Sequence, residues 1–159
     1  MKITFAPKGI LQIDEARIIF RNFSGAPSKY NREGDRNFAV VIDDPRTADA
    51  LAERGWNVKV KPPREEGDTP FMYLPVKVKF NDRGPRVFLN TGGRVNRLDE
   101  ESVDCLDMID ILSVDLDIRP YDWEVNGKEG RTAYLQDIRV YQARCRFEDD
   151  YAEEEYPEE

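Results

Sequence analysis

The chain has 159 residues, 40% apolar and 35% charged, which is length and apolar content enough for one globular domain and excludes a disordered chain. Its net charge of -8 sits at one end: residues 148–159, EDDYAEEEYPEE, hold eight acids and no base, and removing these from the 32 Asp plus Glu leaves 24 facing 24 Lys plus Arg. With no histidine, no GxSxG, no P-loop and no GxGxxG after a strand, the sequence argues against acid–base, nucleophilic and nucleotide-cofactor chemistry, and no cofactor or metal is expected.

The opening MKITFAPKGILQI lacks the continuous apolar core of a signal peptide, and no apolar run approaches the length of a membrane span. Cys105 and Cys145 form no CxxC, which suits a reducing compartment, so the expected location is the cytoplasm.

Residues 16–23 read as the first strand, followed by the polar, turn-rich loop SGAPSKYNREGDR. Residues 37–42 form the next. Asp44 then offers an N-cap and Pro45 the first helical position, with Ala48, Leu51 and Ala52 on one face and Gly55 as the stop. Residues 56–61 alternate, with Trp56, Val58 and Val60 in one phase and Trp56 assigned to the core. Residues 71–80 alternate more clearly: Met72, Leu74, Val76, Val78 and Phe80 point inward, and Phe71, Tyr73, Pro75, Lys77 and Lys79 face solvent. After an NDRG turn come a strand over 86–90, the basic loop TGGRVNR, and a second short helix marked by Val103, Leu106 and Ile109.

The last unit carries the strongest local signal. Two alternating runs, 112–125 and 131–141, flank Asn126-Gly127, which makes them a hairpin. Leu112, Val114, Leu116 and Ile118 are assigned inward, with Arg119, Tyr121 and Trp123 on the other face. On the return strand Ala133 and Leu135 are out of phase with Ile138 and Val140, which predicts a bulge near Gln136 or Asp137. About seven strands with two short helices make a mainly β, curled antiparallel sheet, read as an OB-fold-like small Greek-key barrel over 1–147, with 148–159 as an acidic disordered tail.

Two constellations have plain readings. Asp104, Asp107 and Asp110 stand at helical spacing and can in principle hold Mg²⁺, but they read as the solvated face of an amphipathic helix. Gly92-Gly93-Arg94 can cradle a phosphate, but without a following P-loop lysine it reads as a turn.

A third pattern points to function. Basic and aromatic residues interleave at solvent-facing positions: Arg21 and Phe23; Lys29, Tyr30, Arg32 and Arg36; Tyr73, Lys77 and Lys79; Arg86 and Phe88; Arg94 and Arg97; Arg119, Tyr121 and Trp123. Single-stranded nucleic acid needs both kinds, cations for its phosphates and flat rings for its bases. The acidic tail reads either as a solubility segment or as a tethered polyanion competing for the same groove. A different reading makes the protein a non-enzymatic inhibitor or structural protein whose tail mimics nucleic acid.

The phrases ARIIFRNFSG, YNREGDRNFAVVID, GWNVK, RPYDWEVNGKEG and RTAYLQDIRVY resemble small phage-encoded single-stranded-DNA-binding proteins with an OB-fold and an acidic C-terminal tail. That resemblance implies an OB barrel coating single strands during phage replication, recombination or repair in the host cytoplasm. Replication or recombination proteins are the partners expected of the tail, and a homodimer is left open by the sequence. Tails of bacterial and several phage single-strand binders end in an aromatic residue that docks into partners, whereas this one ends Tyr156-Pro157-Glu158-Glu159. Tyr151 and Tyr156 are the rings left for that role.

Overall fold

The computed structural model describes residues 1–143. The tail, with Tyr151 and Tyr156, and Cys145 lie outside the described residues, as does the boundary drawn at 147.

Among the described residues ten strands form one connected sheet system: β1 Lys2–Phe5, β2 Leu11–Ala16, β3 Ile18–Asn22, β4 Arg36–Ile42, β5 Lys59–Lys61, β6 Phe71–Val78, β7 Arg86–Thr91, β8 Arg94–Leu98, β9 Ile111–Val125 and β10 Lys128–Gln142. The order is β1-β2-β9-β10-β6-β4-β3. Because only Arg17 separates β2 from β3, and its carbonyl accepts from Val41 N–H at 2.9 Å, the path returns to its starting segment. Five strands thus close on themselves: the bent segment 11–22, β4, β6, β10 and β9. All neighbours in this circuit are antiparallel except β6 and β10, which are parallel. This is the Greek-key barrel expected of an OB-like fold.

Its interior is filled by one apolar cluster. Leu11, Ile13, Val40, Leu74, Val76, Val114, Ile118 and Val140 are completely shielded from solvent, and Phe23 stacks on Phe38 at 5.2 Å. Trp56 is buried with them, as expected, whereas Val60 of the same alternation is exposed on β5. Among the described residues no buried residue is polar or charged. Alternation along each strand therefore sends every polar group to the outer surface.

Local chemistry explains the connections. The Asp44 side chain accepts from Arg46 N–H at 3.0 Å, Pro45 opens helix α1 (Pro45–Glu53), and Ala48 and Leu51 are its buried face. Asn126 and Gly127 both take positive φ, 53° and 77°, the geometry that joins β9 to β10 with only two residues. The expected second helix is a 3₁₀ segment, Val103–Asp107; Val103 and Leu106 are buried. The Asp107 carboxylate accepts from Phe23 N–H and Ser24 N–H at 2.7 and 3.0 Å, so it clamps the start of a loop. Among the described residues no group of three metal-ligating side chains is gathered. No helix among them is long and apolar enough to cross a membrane.

Four sequence readings change. Two strands, β1 and β2, precede the one expected first. The basic loop TGGRVNR is instead a hairpin, with Gly92 and Gly93 turning β7 into β8. Leu112 is 71% exposed rather than inward, because the register against β10 slips by one residue there. A similar slip between Ile19 and Asn22 turns Phe23 into the core. The predicted bulge on β10 does occur, with Gln136 as the extra residue between Leu135 and Asp137.

Truncating Phe23 to alanine should cost about 3–5 kcal/mol in a denaturant titration, the usual price of emptying a packed aromatic site. A cost below about 1 kcal/mol would place the ring outside the core.

Candidate nucleic-acid interface

The outer wall of the barrel is assembled by register. On β6 the outward residues are Phe71, Tyr73, Pro75 and Lys77. On one side Pro75 faces Ala39 of β4, and on the other Lys77 faces Tyr134 of β10, which in turn faces Arg119 of β9. Neighbouring outward positions therefore place rings and cations in a continuous band across β6, β10 and β9, with β4 along its edge. Ala39 presents only a methyl group on this wall and leaves room beside the rings.

Phe20 completes the band. It is the residue at the β3 register slip, its φ is +52°, and 55% of it is exposed. A positive φ is strained for a bulky side chain. The distortion brings the Phe20 ring edge-on to Tyr73 at 5.4 Å and to Phe71 at 6.5 Å, while Phe71 and Tyr73 lie 5.7 Å apart. Lys61 of β5 sets its ammonium 5.1 Å from the Phe20 ring and 5.9 Å from that of Tyr73. A second pair, Tyr121 and Tyr134, meets edge-to-face at 5.9 Å with the Arg119 guanidinium 5.2 Å from Tyr134.

Between this wall and loop 23–35 runs an open groove of about 1110 Å³. Tyr30, Arg32, Arg36, Tyr73, Lys77 and Lys79, all expected from the sequence, line it together with Phe20 and Tyr134. The loop is held in shape at its neck by Gly34 N–H donating to Gly25 carbonyl at 2.8 Å, where Gly25 has no room for a side chain against Gly34. Tyr30 stands at its tip, 90% exposed, with Lys29 beside its ring.

Other sequence candidates fall elsewhere. Phe23 is core. Arg21 donates from Nη1 to the carbonyls of Leu106 and Ile109 at 2.6 and 2.7 Å, which fastens the 3₁₀ segment to β3. Both are removed from the interface. Arg36 lines the groove but donates from Nε to Phe23 carbonyl at 2.8 Å and pairs with Glu100, so much of its charge is already engaged. Arg86 is held by Asp137. Phe88 and Arg97 face each other on β7 and β8, with Arg94 exposed at the tip of that hairpin and Arg139 next to Phe88 on β10. These lie apart from the groove. The Trp123 indole covers Gly130, its partner across the hairpin, and donates to Thr132 Oγ1 at 3.2 Å.

Phe20, Phe71, Lys61 and Tyr134 are the wall residues not chosen from the sequence. Phe71 and Tyr134 were open to the alternation argument, since their neighbours Met72, Ala133 and Leu135 are buried. Phe20 was hidden by the bulge.

One acid tempers the outer surface. Burial pushes the Asp117 carboxyl up from its ordinary value, and the nearby carboxylates of Asp137 and Asp14 add to the effect while Arg86 opposes it. Because protonation then occurs at higher pH in the folded state, its contribution to stability is full below the unfolded value and is lost as pH rises through the folded one.

The family model of the phage ssDNA-binding domain matches residues 2–159. The chain belongs to this family. Of solved structures, the single-stranded DNA-binding protein of bacteriophage Enc34 is similar at a TM-score of 0.54 and 13% identity, over 95% of this chain and 99% of that one. The same phage protein in complex with ssDNA gives a TM-score of 0.55 and 12% identity, over 90% and 92% of the two chains. At that identity the likeness is one of fold. No curated protein matches the sequence.

The Trp123 packing has a direct check. In Gly130→Ala the new methyl collides with the indole, so tryptophan emission should shift to the red as the ring is lifted into solvent. An unchanged spectrum would show that the indole does not rest on Gly130.

Proposed function

We propose that this family member binds single-stranded DNA without regard to sequence, in phage DNA replication, recombination or repair, and that the wall running from Phe20 and Tyr73 through Lys77 to Tyr134 and Arg119 is where bases and phosphates lie. The observation that carries the reading is the outward alternation of rings and cations on strands whose inward positions are wholly apolar. Every base has a flat face, so stacking on Phe20, Tyr73 or Tyr134 is tolerant of sequence, while Lys61, Lys77, Lys79 and Arg32 supply charge to the backbone. A duplex hides its base faces and gains nothing from the rings. The complex of the Enc34 protein with ssDNA supports the same choice of ligand.

If those four cations each neutralise one phosphate, a tenfold rise in salt weakens binding several hundred-fold, from a slope of about -0.7 per phosphate. Phe20→Ala and Tyr73→Ala should each weaken binding of a labelled oligodeoxythymidine by roughly 1–3 kcal/mol while leaving the melting temperature close to wild type. Unchanged affinity in both variants would remove the rings from the site.

The acidic segment 148–159 adds a regulatory element to the reading. Its eight carboxylates are attached to the same chain as the groove and compete with phosphates for the same cations. Deleting it should raise affinity for single strands, most at low salt where screening is weakest. Equal affinities for the full and shortened chains at low salt would reduce the segment to a solubilising role.

A further inference from the structure

Past Lys79 the outer surface opens into a second trough of about 630 Å³. Its charged lining is Lys79, Arg83, Arg86, Arg119 and Asp137, and no aromatic ring takes part. The first groove, by contrast, is lined by Phe20, Tyr30, Tyr73, Phe80 and Tyr134. The two are continuous: Lys79 lines both, and Arg119 lines the second while its guanidinium lies against Tyr134 of the first.

The topology explains where the trough comes from. Strands β6 and β7 both run parallel to β10, β6 beside Ala133 and Tyr134 and β7 from Asp137 onward. They act as one strand interrupted between Val78 and Arg86, and the β10 bulge at Gln136 falls opposite the gap. The interrupting segment carries Lys79 and Arg83 outward, and neither side chain forms an ion pair among the described residues. Arg86, at the far side, has its fork filled: Nε and Nη2 donate to the two carboxylate oxygens of Asp137 at 2.6 and 3.1 Å. Two oxygens presented to one guanidinium is also how a phosphate is held.

Resting on the reading of the aromatic groove as the single-strand site, we propose that this trough is a separate subsite for the phosphodiester backbone alone, taking the strand as it leaves the rings and reading no base. In the free protein Asp137 fills the Arg86 fork as a phosphate would, and an arriving phosphate competes with it. Nucleotides in the trough then add affinity through charge only, whereas those in the groove add it through stacking as well.

The test uses the full chain and a series of oligodeoxythymidines within the range of roughly 4–16 nucleotides that one such barrel spans. The shortest that saturates the effect of Tyr73→Ala defines the groove-filling probe. It is then extended at either end with thymidines or with abasic deoxyribose phosphates. At one end the abasic extension should raise affinity as much as thymidines do and steepen the salt slope by about 0.7 for each phosphate held. Arg83→Gln should remove about one such phosphate from the slope of the extended probe and leave the unextended probe unchanged. Asp137→Asn, which frees the Arg86 fork, should strengthen the extended probe only. A gain from thymidines with none from abasic units would overturn the proposal, as would no gain from either, or an equal effect of Arg83→Gln on both probes. Failure of every oligonucleotide to bind would instead sink the reading of the aromatic groove, and this subsite with it.

Discussion

The architecture depends on one segment, residues 11–22, serving two ladders at once. Its first half pairs with β9 and its second with β4, and the barrel closes only because the chain can turn between them. The change of partner falls at Arg17, and a one-residue slip bends the segment on each side of it. Glu15 and Phe20 take φ values of 54° and 52° there, conformations that cost roughly 1–3 kcal/mol each for such side chains. The Glu15 N–H is compensated by Asp115 Oδ1 at 2.9 Å. The Phe20 ring is left on the outer surface, edge-on to Tyr73 and Phe71. The slip within β3 thus sets an aromatic ring on the outside of the barrel.

Closure leaves the rest little freedom. The barrel is filled by its own apolar side chains, so among the described residues its polar and most of its exposed aromatic groups lie on the outer wall. Outward positions near β6 carry rings and lysines that form no ion pair among the described residues, whereas those farther along β9 carry Asp115 and Asp117. The balance of charge in the body conceals this segregation. A polyanion is therefore favoured along the β6 side of the wall.

Much of this was legible in the sequence wherever alternation ran without interruption. The β6 reading, from Met72 inward and Tyr73 outward, holds residue by residue up to Val78. The Gln136 bulge was visible because apolar residues on both sides of it were out of phase, and the Asn-Gly turn because two positive φ values demand those residue types. Phe20 and Phe23 were exchanged for a specific reason. The slip between Ile19 and Asn22 has no apolar run long enough on both sides to reveal a change of phase. Leu112 failed likewise, since it is itself the extra residue of a slip near the strand's start. The first two strands are short and separated by Pro7-Lys8-Gly9, which hides the alternation of Leu11 and Ile13. Charge engagement was not legible at all: Arg21, Arg36 and Arg86 look like free cations until their partners, distant in sequence, are brought to them.

The central claim, that one outer wall receives the single strand, is tested most directly by amide and side-chain chemical-shift mapping of the full chain titrated with an oligodeoxythymidine. The account predicts that the largest perturbations trace Phe20, Tyr73, Lys77, Tyr134 and Arg119, with Met108 and Leu112 unmoved. Perturbations centred on the surface around Met108 and Leu112, or none at saturating oligonucleotide, would contradict it.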